Sequence, residues 1–252
     1  MNTKQRWELL APEYIEALRK KGKGDYLRYR LLTPHLMRIL GPLKGRAVLD
    51  IGCGDGHLAR RMALKGARVW AFDWMEPLIA RGLEEERRRA LGITYTVADA
   101  SERFPFPPIF NLVVANMVLK DMRRIQTTVG EVYRVLCHGG RFVLSILHPC
   151  FSMNVSQWQA RRTITGKSRK VTFEIEAPYT SCLSFLKTVS GSRAEIVHFH
   201  RPLSYYVQLL RKSGFLFSGL WEPVLRPGSH CPDRYYYATL IPPFLIMEGE
   251  KP

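Results

Sequence analysis

The chain has 252 residues, 46% hydrophobic and 24% charged, which excludes disorder and fibrous repeats and fits one α/β domain with an elaboration. No apolar run reaches the ~20 residues of a membrane span, and MNTKQRWELLAPEYIEALRKK lacks a secretory core, so a cytoplasmic protein is expected. The formal net charge of +16 suits acidic small molecules, nucleic acid or anionic membrane surfaces as partners, and equally a plain solvated Arg-rich surface.

Trp7, Leu10, Tyr14 and Leu18 recur at helical spacing, Gly22-Lys23-Gly24 breaks the pattern, and Tyr26 to Leu40 resumes it. A strand is predicted at Ala47–Asp50, then a turn with glycine at 52, 54 and 56, then a helix over His57–Lys65 stopped by Gly66. Arg68–Asp73 (RVWAFD) reads as the second strand, Glu76–Ala90 as a charged helix, Ile93–Val97 as the third strand and Leu112–Ala115 as the fourth. A helix over Ile125–Leu136 ends at His138-Gly139-Gly140, before a fifth strand at Arg141–Leu147.

The rhythm then changes. Residues 148–193 are long, polar and irregular, with VTFEIE (171–176) expected to pair with AEIVHFH (194–200) as an antiparallel ribbon. A helix at Ser204–Lys212 follows, then strands at Leu216–Trp221 and YYYATLI (235–241), the last taken as the final antiparallel strand with Tyr235, Tyr236 and Tyr237. Strands alternating with helices imply a doubly wound, mostly parallel sheet with helices on both faces and ligands at the carboxyl ends of its strands. Cysteines at 53, 137, 150, 182 and 231 make an odd count without a Cys-x-x-Cys pair, so neither a disulfide framework nor a metal site is expected.

Glycine after the first strand lets the backbone approach a ligand closely. The dinucleotide fingerprint wants a further glycine at 57, where His57 stands, which argues against a nicotinamide oxidoreductase. Asp50 is poorly placed for a pyrophosphate and well placed for an ammonium or sulfonium-bearing chain. Asp73 ends the second strand, where a carboxylate can accept both ribose hydroxyls. Asp99 follows the third, where it can accept from an adenine amino group beside the Ala100 N–H. Each acid alone also reads as a cap or a loop residue; three at successive strand ends point to a ligand.

VLDIGCGDG (48–56), RVWAFD, VADA, FNLVVANMVL (110–119) and RVLCHGGRFVLS together resemble the class I S-adenosylmethionine-dependent methyltransferases, in particular the small-molecule branch called methyltransferase type 11. The resemblance covers roughly residues 4 to 240. It implies a Rossmann-like seven-stranded domain with an N-terminal helical lid at 1–44 and a cofactor-binding core at 45–147. A substrate cap would be inserted after strand five at 148–200, and residues 201–252 would complete the core. By that resemblance S-adenosylmethionine is the cofactor and S-adenosylhomocysteine its product. Arg28, in the pattern Gly24-Asp25-Tyr26-Leu27-Arg28, and Asp50 would hold the methionine end. Gly52, Cys53 and Gly54 would lie against the cofactor, Asp73 on the ribose and Trp74 on the adenine. Asp99 and Ala100 would read the adenine edge, and Asn116 and Met117 would border the reacting face. Asn111, where aspartate is usual, and Cys137-His138, where Lys-Pro is usual, depart from the pattern and should affect local packing.

Methyl transfer needs alignment, exclusion of water and, where the nucleophile must lose a proton, a base. Histidine near the end of strand five or in the cap suits that task, with His148, His198 and His200 as candidates and His148 the best placed; before a proline it is also an ordinary turn residue. His200 and Arg201 are candidates for orienting an anionic substrate, and Tyr205 for lining its pocket. The expected activity is methyl transfer to oxygen, nitrogen or carbon of a small molecule. An RNA methyltransferase using the basic surface, and a non-catalytic cofactor-binding protein, are the alternatives.

Overall fold

The computed structural model describes residues 3–19, 26–151, 161–165, 168–172, 178–188, 195–226 and 232–252. Gly22-Lys23-Gly24, the Gly24-Asp25 half of the lid pattern, the basic stretch 20–23, Lys167, residues 173–176 of the expected ribbon and Cys231 lie outside the described residues.

Helix α1 (Thr3–Arg19) precedes a second helical stretch that begins with a π turn at Arg28–Leu32 and continues as α2 (Thr33–Leu40). Pro34 explains the widened turn. A proline has no N–H to give, and its ring crowds the carbonyl four residues back, so the Thr33 N–H reaches Arg28 O instead.

The central unit then alternates: β1 (Ala47–Ile51), α3 (His57–Ala63), β2 (Arg68–Asp73), α4 (Glu76–Arg88), β3 (Thr94–Val97), β4 (Phe110–Asn116), α5 (Gln126–Val135) and β5 (Leu136–Leu147). Two small antiparallel ribbons follow, β6 (Arg161–Thr165) with β7 (Ser168–Thr172) and β8 (Leu183–Thr188) with β9 (Glu195–His200). Helix α6 (Leu203–Lys212), β10 (Leu216–Trp221) and β11 (Phe244–Glu250) complete the chain. Among the described residues no helix is long and apolar enough to cross a membrane.

The main sheet has seven strands in the order β10-β11-β5-β4-β1-β2-β3. All neighbours are parallel except β11, which is antiparallel to both β5 and β10. This is the expected doubly wound, Rossmann-like α/β fold. The order reverses between β1 and β4, so a crevice opens at their carboxyl ends.

Alternation along the strands sends side chains to two cores. Val48, Val69 and Val114 pack under α2, α3 and α4 with Leu36, Met62 and Ile79. Leu49, Val113 and Phe142 pack under α5 and α6 with Val129, Val132 and Leu210. The Asn111 departure has a local role, since its Oδ1 accepts the Ala47 N–H at 2.9 Å and pins the start of β1. Cys137-His138 lies within β5, which starts at Leu136 rather than Arg141 because the Gly139-Gly140 backbone pairs with Lys251.

Two sequence expectations are corrected. The partner of β9 is Leu183–Thr188, not 171–176, whose first two residues belong instead to the β6–β7 ribbon. Tyr235, Tyr236 and Tyr237 lie in a 3-10 turn, Asp233–Thr239, where Tyr235 stacks on Tyr26 with ring centroids 5.0 Å apart. The strand beyond is Phe244–Glu250, after the Pro242-Pro243 break.

Candidate active site

A cavity of about 660 Å³ opens at the carboxyl ends of β1, β2 and β4, within the range of small-molecule sites. Gly52 and Gly54 form its floor, Asp73 to Met75 and Asp99 to Ser101 one side, and Asn116 to Val118 with Lys120 to Arg124 the other. Lys4, Trp7, Tyr14 and Arg28 close it from the N-terminal helices, and Ile196 and His198 from β9.

The turn after β1 needs its glycines. Gly52, Gly54 and Gly56 have φ of +63°, +58° and +77°, and a Cβ on Gly52 would sit 2.4 Å from Val118 Cγ2. Met117 also holds a left-handed φ of +65°, uncommon without glycine, and its N–H donates to Ser145 O at 2.9 Å. Beside it Asn116 Oδ1 accepts from Ser145 Oγ at 2.7 Å.

Asp73 ties the second strand to the turn. Its Oδ2 accepts the Gly54 N–H and its Oδ1 the Met75 N–H, both at 2.9 Å. Burial nevertheless raises its pKa, against the pull of those N–H groups. Trp74 stands next to it with the Lys4 ammonium 5.5 Å from its ring centre. On the third loop, Asp99 Oδ1 accepts from the Ser101 N–H at 2.8 Å and its hydroxyl at 2.6 Å, and Ala100 O accepts from Thr128.

Asp50 and Cys53 lie behind the turn rather than on the cavity wall. Asp50 is 1% exposed, and neither oxygen accepts a hydrogen bond of ordinary geometry among the described residues. Burial pushes its carboxyl up to about 7, opposed by the Arg28 charge and the Ala59 amide. A buried carboxylate without ordinary hydrogen bonds behind a glycine turn is what a cationic ligand would satisfy. Cys53 is buried as well, with its thiol 3.5 Å from Gly54 O and its pKa pushed up by burial.

The substrate-side candidates are placed less uniformly. His148 is off the cavity wall, its Nε2 2.6 Å from Glu222 Oε1 and its Nδ1 accepting the Cys150 N–H at 3.1 Å. Burial holds its pKa down despite Glu222. His200 Nε2 meets Tyr179 O at 2.7 Å. Arg201, 4% exposed, donates to the carbonyls of Leu119, Met122 and Arg123 and so clamps the loop after β4. Tyr205 Oη accepts from Gln126 Nε2 at 2.6 Å.

Sequence reasoning passed over Lys120 and Asp121 on that clamped loop. Lys120 Nζ lies 2.8 and 2.7 Å from the two Asp121 oxygens, and His198 Nε2 is 3.2 Å from Asp121 Oδ1 and 3.4 Å from Lys120 Nζ. All three side chains line the cavity. The signal was present in VLKD, directly after the fourth-strand motif, and in HFH.

Residues 49–144, from within β1 to within β5, match the family described as a methyltransferase domain. Residues 49–144 thus form a methyltransferase domain. The methyltransferase domain match supplies the glycine turn, Asp73, Asp99, Asn116 and Lys120-Asp121, while the N-terminal helices and β9 supply the facing walls.

A demethylmenaquinone methyltransferase from Thermus thermophilus is 30% identical over 138 residues, 54% of this chain and 61% of that protein. A ubiquinone/menaquinone biosynthesis C-methyltransferase from Neisseria meningitidis is 34% identical over 105 residues, 40% of this chain and 42% of that one. The chain thus spans less than two thirds of the length of these two relatives. A solved S-adenosylmethionine-dependent methyltransferase from Mesorhizobium loti shares the fold, with a TM-score of 0.70 at 23% identity over 86% of this chain and 96% of that one.

Proposed function

We propose that the protein transfers a methyl group from S-adenosylmethionine to a small, ring-bearing acceptor related to the quinones that the two curated relatives are named for. The observation that carries the cofactor assignment is Asp73, held by the Gly54 and Met75 amides at the end of β2 and facing the cavity. Its carboxylate would take the ribose hydroxyls, with Trp74 on the adenine face and Asp99 and Ala100 at the adenine edge. The glycine turn would bring backbone against the methionine portion, with Asp50 offsetting its positive charge and Arg28 its carboxylate.

The cofactor supplies an electrophilic methyl on a sulfonium. The chain's own part is to orient and to exclude water. Asn116 and Met117 would border the reacting face, while α1 as a lid and β9 as part of a cap would shield it. Walls contributed from both ends of the core support an enclosed small acceptor over an RNA strand.

A thermal shift with S-adenosylhomocysteine, run beside NAD and repeated with Asp73→Ala, tests this. Ligand at about 100 times its dissociation constant raises stability by about 2.7 kcal/mol. A rise with the adenosyl ligand alone, lost in the variant, is expected; a larger rise with NAD would overturn the reading.

A further inference from the structure

We propose that His198 is the proton acceptor of the transfer, taking at Nε2 the proton of an ionisable hydroxyl on the acceptor's ring. This rests on the methyl-transfer reading above. Strand β9 turns Ile196, His198 and His200 inward, and of its two histidines it is His198 that reaches the main cavity. Its Nδ1 is shut off from solvent, so exchange with the cavity takes place at Nε2.

The two neighbours of Nε2 divide the work. Lys120 already spends two of its contacts on the Asp121 oxygens, at 2.8 and 2.7 Å, and its ammonium lies 3.4 Å from Nε2. With the ring hydrogen on Nδ1, Nε2 offers a lone pair. After proton uptake the new Nε2–H finds Asp121 Oδ1 at 3.2 Å, and the carboxylate stabilises the imidazolium. Asp121 is thus a positioning residue for His198. The same cavity presents the apolar side chains of Met117, Val118, Leu147, Ile196 and Phe244, with the basic Arg123 and Arg124 also on its wall. That combination selects a flat apolar ring carrying one acidic hydroxyl.

The step balances. The O–H bond breaks and its proton goes to Nε2. The oxygen's electron pair, directly or through the ring, forms the bond to the methyl carbon, whose bond to sulfur breaks with its electrons passing to sulfur. One positive charge moves from sulfonium to imidazolium.

The test uses 4-nitrophenol, whose anion absorbs in the visible, bound at neutral pH to the full chain loaded with S-adenosylhomocysteine. The wild type should bind it as the anion. His198→Gln should lower the bound anion's band about tenfold, with affinity for S-adenosylhomocysteine kept within about twofold. Asp121→Asn should lower the band to an intermediate level, and carries the test if the glutamine variant fails to fold. A bound phenol that stays neutral in the wild type, one ionised equally in the variants, or no binding to the loaded protein would overturn the assignment of His198. Failure of the wild type to bind S-adenosylhomocysteine would sink the methyl-transfer reading instead.

Discussion

Asp73 Oδ2 accepts the Gly54 N–H at 2.9 Å, so the acid that ends β2 and the glycine turn that follows β1 are one mechanical unit. The carboxylate sets where the turn's backbone lies before any ligand arrives, and keeps lone pairs for that ligand.

Asp73→Asn should separate these roles. The amide keeps the shape but replaces one acceptor oxygen with a donor, so S-adenosylhomocysteine affinity should fall at least about tenfold, or about 1.4 kcal/mol. Isothermal calorimetry on the folded variant checks this; an unchanged affinity would remove Asp73 from the cofactor site.

Gly52→Ala should abolish cofactor binding. Its φ of +63° costs an L-residue about 1–2 kcal/mol, and the new methyl would meet Val118 Cγ2. Adding Val118→Ala removes the Cγ2 contact but leaves the Val118 Cβ at 2.7 Å and the backbone strain in place, so little recovery is expected in a thermal-shift titration.

Arg201 ties the loop carrying Lys120 and Asp121 to the end of β9 through three carbonyls. Arg201→Met preserves bulk but leaves those acceptors without their donor, a loss of about 3 kcal/mol in urea unfolding at roughly 1 kcal/mol each. Arg201→Lys should recover only part, because an ammonium lacks the guanidinium's planar fork.

Asp50 gives a pH signature. Its ordinary pKa of 3.8 becomes about 7 in the fold, so between those values the native state holds a proton that the unfolded chain has released. Its contribution is therefore full below about 4, is lost as pH rises towards 7, and is flat above, a span of about 4 kcal/mol at most. Thermal melts of Asp50→Asn against the wild type should show this slope only in the wild type.

The parallel half of the sheet was legible because its signals are local: a glycine turn, apolar runs and an acid at the end of each of the first three strands. Side chains whose meaning lies far along the chain were not. Arg201 next to a histidine reads as a substrate ligand, yet the carbonyls it binds are 78 to 82 residues away. His148 finds Glu222, 74 residues on, and Lys120 finds His198 at a separation of 78. The tyrosine triplet failed for another reason. Strand propensity describes fit to a half-buried pleated surface, and here the aromatic surface is met by Tyr26 in a different geometry.

The antiparallel strand β11 lies between β5 and β10, although it is the last of the seven strands of this sheet in chain order. Until it arrives, β5 presents an unpaired edge along Phe142 to Leu147, and β10 has no neighbour at all in this sheet. Open edges of that kind recruit other chains. A ribosome stalled before residue 244 should therefore hold an aggregation-prone intermediate with its parallel half already formed. The step that pairs the edge of β5 also brings Phe244 to the cavity wall, so the sheet and the pocket are completed together.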